Sequence, residues 1–348
     1  LKTARRALHG GPFFCGFIAA MLIQRQTITD CRPQTIAWLT KDLLIDWAHG
    51  GRLYGPAGQQ GQVASYHVAG SFDRAITSAD GTYAFIYQHR GTKGLLLKKG
   101  ELLREISRSD YHAGDYEYPA AFATVAGVTY LIHCPIEYNQ LDFEEVETGE
   151  LVTNIAGRAP VDYFHSRLEV SPNTTFLLSK GWAWHPWDMV VAFDIAACLA
   201  NPLLLDELAL EPNVGTEVCT AGFLTDELVV LGTSNEEAMN EDLEAALPPE
   251  SVTIWNIRTD ELAAPVRVAS EFGNLFPLTE KLAWDLYEHP KLLDLTTGAV
   301  VASLPELASS LQRSGIVQRD VPAIAFDRAT GQLAFTNGNQ LEILSWSH

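Results

Sequence analysis

Residues 167–195 read RLEVSPNTTFLLSKGWAWHPWDMVVAFDI, and this stretch decides the fold. A short run, 167–170, meets a turn at Ser171, Pro172 and Asn173. A second β-rich run follows, then a turn around Pro186, then a third run ending in Phe193–Asp194. Successive strand side chains point to opposite faces. Val191 and Phe193 should therefore share one sheet face, and Val190 and Ala192 the other. Pro186 cannot donate a ladder hydrogen bond, so the turn is expected to centre on His185–Trp187 with Trp187 exposed at its tip. Trp182 and Trp184 fall near the strand end, where one can cover a seam between sheets.

The same grammar runs along the chain from Leu22 onward. Short β-rich runs alternate with turn signals, the mark of an all-β fold. Three hairpins share a Thr-Gly turn, VETGELV (146–152), LTTGAVV (295–301) and RATGQLA (328–334), in which glycine supplies a positive φ. Two more hairpins are LLLKKGELLREI (95–106) and VTIWNIRTDELAAPV (252–266). Spacing groups the strands into units near 35–70, 73–109, 118–157, 163–211, 215–268 and 272–305. A last unit, 321–348, has room for three strands, AIAFD, QLAFT and LEILSW, and its fourth is available in MLIQRQTIT (21–29). Sharing one unit between the termini closes a ring and leaves no open edge. A period of about 40–50 residues is that of propeller blades. The expected fold is an all-β, seven-bladed propeller of four-stranded blades; six or eight blades also fit the spacing.

The unit 167–195 resembles a WD-repeat blade. VVAFDI, VTIWNI and QLDFEEV place Phe193–Asp194, Trp255–Asn256 and Phe143–Glu144 where that family carries its Trp–Asp pair. The resemblance spans about 30–348 as a repeat pattern. It departs in two ways: the literal pairs Trp187–Asp188 and Trp284–Asp285 fall away from the end of a third strand, and the usual Gly–His pair is missing.

Two helices are expected. In 234–250, Ser234 and Glu237 have capping-box spacing, Met239, Leu243 and Leu247 form one stripe, and Pro248 ends it. In 304–315, Pro305 suits a first turn and Gly315 a stop. Residues 1–20 are expected to lie outside the propeller domain, 21–348, as an upstream-translated or vestigial segment. The alternative is a targeting segment, because a basic start precedes a short apolar stretch. That stretch is too short to span a bilayer.

A net charge of -19 without a run of Lys and Arg excludes a phosphate-tracking surface, so no nucleic acid is expected. The acidity serves solubility or draws a basic partner. Five cysteines without a C-x-x-C pair read as free thiols in a reducing, cytoplasmic setting; a secreted or periplasmic chain is the alternative if residues 1–23 act as a signal. Phosphate-loop, dinucleotide, zincin, hydrolase-elbow and EF-hand motifs are all missing from the sequence. GGRLYGPAGQQG (50–61) lacks the lysine of a phosphate loop and reads as a hairpin loop. NTT (173–175) matches a glycosylation acceptor but also an ordinary hairpin turn.

Position carries the remaining signal. In a propeller, the hairpin between the second and third strands opens on the same face as the crossover to the next blade. His49, His89, His133, His185 and His289 all map to such hairpins, and His112 to the crossover 109–119. Repeated turn chemistry accounts for them, since equivalent positions in neighbouring blades lie too far apart for zinc's bond length of about 2 Å. The competing reading is a binding rim, because exposed aromatic clusters mark interaction sites. Its residues are Tyr111, Tyr116, Trp182, Trp184, His185, Trp187, Asp188, Glu236, Glu237, Glu241, Asp242, Asp285 and His289. The function expected is a non-enzymatic platform for a protein or peptide partner, a basic one among the options. The chain is expected to be monomeric, without cofactor, metal or membrane attachment. The alternatives are a hydrolase or lyase over the central channel, using His185 with Asp188 or Asp285 with His289, and a carbohydrate-binding propeller.

Overall fold

In the computed structural model, residues 22–184, 186–236, 245–317 and 321–347 are described. They form seven antiparallel sheets in chain order. Blade 1 holds Ala37–Thr40, Leu43–Asp46, Arg52–Gly55 and Gly58–Gln62. Blade 2 runs from Arg74–Thr77 to Glu101–Ser107, and blade 6 from Leu275–Thr279 to Val300–Ser303, each with four strands. Blade 5 begins at Val218–Phe223; its third strand, Ser251–Asn256, pairs with two short outer segments, Glu261–Leu262 and Val266–Arg267. In blade 7, Gln340–Ser347 pairs with Leu22–Ile28, so the N-terminal strand closes the ring. The Gly149, Gly298 and Gly331 turns all adopt positive φ, between 70° and 78°.

Blades 3 and 4 depart from the repeat. Each has three regular strands, and the fourth shrinks to a single bridge, Glu144 with Leu151 and Ala192 with Leu210. In blade 4 the chain leaves Asp194 directly into a short helix, Ile195–Ala200, which the sequence reading missed. Asp194 caps it, accepting from the Ala197 amide at 2.9 Å. The acid at the end of the third strand thus starts a helix here.

Packing explains the ring. Each of the seven seams between neighbouring blades is filled by its own apolar cluster. Val191 and Phe193 pack toward blade 3, Val190 and Ala192 toward blade 5, as their alternation requires. The closing seam joins Ile28, Ala334 and Leu341 to Leu44 and Tyr54 of blade 1. Cys31, Cys134, Cys198 and Cys219 are buried free thiols. Among the described residues no helix is long and apolar enough to cross a membrane.

The connection from blade 6 to blade 7 corrects one expectation. Residues 304–315 are not helical. Their backbone bonds to other elements instead: Ser310 donates to Leu286, Glu288 donates to Ser310, and Ser309 donates to Glu288. The segment then strikes across the ring. Ile316 bridges Tyr116, the Val317 amide donates to Asp115 at 2.7 Å, and the Gly315 amide donates to Asp188 at 2.8 Å. The carbonyls of Val321 and Pro322 accept from Arg74 of blade 2 at 2.6 and 3.2 Å. We call this segment the strap. Residues 1–21, His185, 237–244, 318–320 and His348 lie outside the described residues, so the N-terminal extension and most of the expected 234–250 helix are not placed.

Candidate functional site: the rim of blades 3 to 5

The hairpin of blade 4 joins Phe176–Ala183 to Trp187–Asp194, with Ala183 paired to Trp187. Its tip is therefore 184–186. Trp184 is the exposed tryptophan, at 46%, while Trp187 is half-buried at the start of the third strand. This reverses the expectation for Trp187. Trp182 is buried and stacks on Phe164 at 3.8 Å with an interplanar angle of 2°. Gly181 makes this approach feasible: a Cβ there would lie 2.0 Å from the Phe164 carbonyl oxygen.

Around that stack the crossover 109–119 and the hairpin of blade 3 bring further rings. Tyr111 lies 4.7 Å from Tyr138 and 4.6 Å from His112, whose ring is 5.2 Å from Trp184. Tyr138 lies 4.6 Å from Phe164 and donates its hydroxyl to Asp162 at 2.7 Å. His112 is held by Asp115 at 2.8 Å. The result is a buried base of Tyr116, Phe164 and Trp182 under an outer layer in which Tyr111 and Trp184 are exposed. Carboxylates of Asp110, Asp115 and Asp162 stand exposed nearby in sequence.

On the other side of the hairpin a cavity of about 520 Å³ opens between blades 4 and 5. Trp187, Asp188 and Met189 form one wall, and 211–216 the other. Asp188 is buried; its amide donates to Glu217 at 2.9 Å, and its Oδ2 has no hydrogen-bond partner. Burial pushes this carboxyl up to about 7, against the pull of Arg167. Glu211 stands exposed on the far wall. The returning end of the 234–250 insertion is pinned to that wall, since Leu247 donates to the Val214 carbonyl at 3.3 Å and accepts from Thr216 at 2.5 Å. Glu236 is exposed where the insertion departs.

The structure thus gathers Tyr111, Tyr116, Trp182, Trp184, Trp187 and Asp188 on one sector of the rim. Burial corrects the role of four expected partner contacts, Tyr116, Trp182, Asp188 and Asp285. The first two form the base of the patch, and Asp188 lies inside the cavity wall. Asp285 belongs to blade 6, away from this sector. It accepts from the Gly273 and Tyr287 amides at 3.1 and 2.8 Å and faces Lys291 at 3.5 Å, so it ties its own blade together and makes no bond to half-buried His289. His185, Glu237, Glu241 and Asp242 lie outside the described residues. Among the other hairpin histidines, His49 bonds Asp46 at 2.6 Å and His133 bonds Glu144 at 2.9 Å; each is a local tie. Among the described residues no three ligand-type side chains converge to hold a metal.

Sequence reasoning missed Phe164, Tyr138 and the 211–217 wall. Tyr138 was within reach, because it lies in the same kind of hairpin as the histidines that were counted. Phe164 was not, since nothing in a crossover reports which ring will stack on it.

No protein family matches the sequence, and neither does any curated protein. Solved structures do match. A chain in the crystal structure of the mitotic checkpoint complex superposes with a TM-score of 0.55 over 99% of this chain and 97% of that one, at 10% identity. The chain is a seven-bladed β-propeller. At that identity the likeness shows the fold.

Proposed function

We propose that this propeller is a non-enzymatic interaction platform that seats a basic segment of a protein partner across the rim of blades 3 to 5. One observation carries the reading: the exposed Tyr111–Trp184 layer adjoins a cavity whose buried acceptor, Asp188 Oδ2, lacks a hydrogen bond. Rigid aromatic rings supply contact area at low entropic cost and are favoured in binding hot spots. A lysine or arginine entering the cavity would meet Asp188 and Glu211, and its stem would pack on Trp187. The acidic exterior, -19 overall, would steer such a partner. The superposed chain belongs to a multiprotein assembly, a use to which the scaffold is suited.

The test is fluorescence anisotropy with short Lys/Arg-rich peptides and acidic counterparts, titrated against the full chain and a Tyr111→Ala/Trp184→Ala variant. Saturable binding of basic peptides, weakened by salt and lost in the variant, supports the reading. Equal binding of acidic peptides, or unchanged affinity in the variant, refutes it. Because a cation needs the ionised form of Asp188, affinity should also fall on acidification below about pH 7.

A further inference from the structure

The central channel has the opposite character from the surface. Inner strands of the blades, with Gln312, Val321 and Pro322 of the strap, enclose a cavity of about 460 Å³. Four cations line it, Arg74, Arg167, Lys180 and Arg328, against two carboxylates, Glu117 and Glu169. In a chain that carries 43 acidic and 24 basic residues, this is not the extension of a basic surface.

The cations fall into two sets. Glu169 serves Lys180 at 2.7 Å and also Arg328, one carboxylate between two cations. Glu117 serves the other set. Burial opposes its ionisation, but the hydrogen bond and charge of His89, then Arg74 and Arg167, hold it down to about 2. Neither arginine makes a hydrogen bond to a carboxylate. Arg74 donates to the carbonyls of Asp73, Val321 and Pro322. Arg167 donates to the carbonyls of Lys180 and Cys219 and to Asn274 Oδ1 at 2.8 Å. Its remaining nitrogen, Nη2, is buried without a hydrogen-bond partner, and the nearest carboxylate oxygen, of Asp188, is 4.0 Å away. The side chain is only 5% exposed.

Buried charges are ordinarily paired or ligated, because removing them from water is costly otherwise. Here Arg74 faces the Asp73 carboxylate at 3.6 Å and Arg167 the Asp188 carboxylate at 4.0 Å, neither as a hydrogen bond, and backbone carbonyls make up the difference. We propose that the channel binds a compact polyanion bearing carboxylate or phosphate groups. Arg74 and Arg167 would hold its charge, and Asn274 and Gln312 would supply polar contacts beneath the strap. Arginine's planar fork suits both oxyanions, and the cavity is of ordinary ligand size.

Isothermal titration of the full chain with citrate, inorganic phosphate and pyrophosphate tests this, and the preferred titrant distinguishes the carboxylate from the phosphate source. Arg74→Gln and Arg167→Gln should each weaken binding by about tenfold or more, the loss expected for a charge-assisted hydrogen bond. Arg267→Gln, on the exposed surface, and Trp184→Ala, on the rim, should leave it unchanged. If Arg167→Gln fails to fold, Arg74→Gln decides. Lack of saturable binding by all three anions, or full binding retained by a folded channel variant, overturns the proposal.

Discussion

Trp182 and Trp184 are two residues apart on the same strand end, and the structure assigns them opposite work. Trp182 is 2% exposed and lies flat on Phe164. Truncating such a ring leaves an enclosed hole, which costs about 3–5 kcal/mol. The lost ring pair belongs within that range, since an aromatic contact adds about 0.5–1.5 kcal/mol. Its indole nitrogen is buried without a partner, so removing it relieves a small penalty and places the expectation toward the middle of the range. Trp184 keeps nearly half its surface in water. Its removal opens no closed cavity, so about half the full burial value is at stake, roughly 1–1.5 kcal/mol. Binding should show the reverse ranking for a residue that can be tested folded. Trp184→Ala should lose about 2 kcal/mol of affinity for a basic peptide, roughly 30-fold. Urea unfolding gives the first pair of numbers and anisotropy the last. Equal destabilisation by the two substitutions would show that both rings are core. A Trp184→Ala protein that binds as well as wild type would remove the rim's main anchor.

Asp188→Asn should change how stability depends on pH. The carboxyl titrates near 7 when folded and near 3.8 when unfolded, so between those values the unfolded chain has released a proton that the folded chain retains. Wild-type stability from this group is therefore present at low pH and falls as pH rises to about 7, by up to about 4 kcal/mol; urea titrations near pH 4 and pH 8 should show the Asn variant gaining on wild type, and parallel curves would contradict it. Deleting residues 1–20 should leave the melting temperature nearly unchanged, whereas deleting through Ile28 strips the partner from Gln340–Ser347 and should cause aggregation visible by light scattering. Gly181→Ala should destabilise by several kcal/mol, about the cost of overpacking or more, because its Cβ would collide with the Phe164 carbonyl; a melting temperature like wild type would mean the Phe164–Trp182 stack yields easily.

The fold was legible because each blade carries its own local signals. Alternation fixed which faces Val190 through Phe193 would cover, and the Thr-Gly turns fixed three hairpins. The strand near 22–29 announced ring closure only because the last unit lacked a strand. Part of what escaped had backbone partners distant in sequence. The strap had the composition of a short helix, but its amides and carbonyls find blades 2, 3, 4 and 6 instead. The helix after Asp194 is six residues long, too short to show periodicity. Trp184 and Trp187 were exchanged because hairpin register depends on how far the ladder extends, and Ala183 still pairs with Trp187 beyond Gly181. Nothing local in the sequence marks Arg74 or Arg167, since only ring closure brings them to one channel.

Repeated turn chemistry and a dedicated binding rim make different claims about where irregularity should fall. Duplicated blades with conserved turns would distribute their departures evenly around the ring. In this molecule blades 1, 2, 6 and 7 keep four strands each, while blades 3 and 4 lose a regular outer strand and blade 5 splits its own. The strap leaves blade 6 and lands at Tyr116 and Asp188. The unpaired Asp188 oxygen and the two exposed rings fall in this same sector. Elsewhere, His49 with Asp46 and Asp285 with Gly273 behave as turn chemistry and tie a hairpin to its own blade. Local ties therefore account for His49 of blade 1 and His133 of blade 3, but they do not account for the rings and the carboxyl gathered across blades 3 to 5. There the departures from the four-stranded pattern coincide with the aromatic rings and the buried Asp188 carboxyl, which is the uneven distribution that the proposed rim requires.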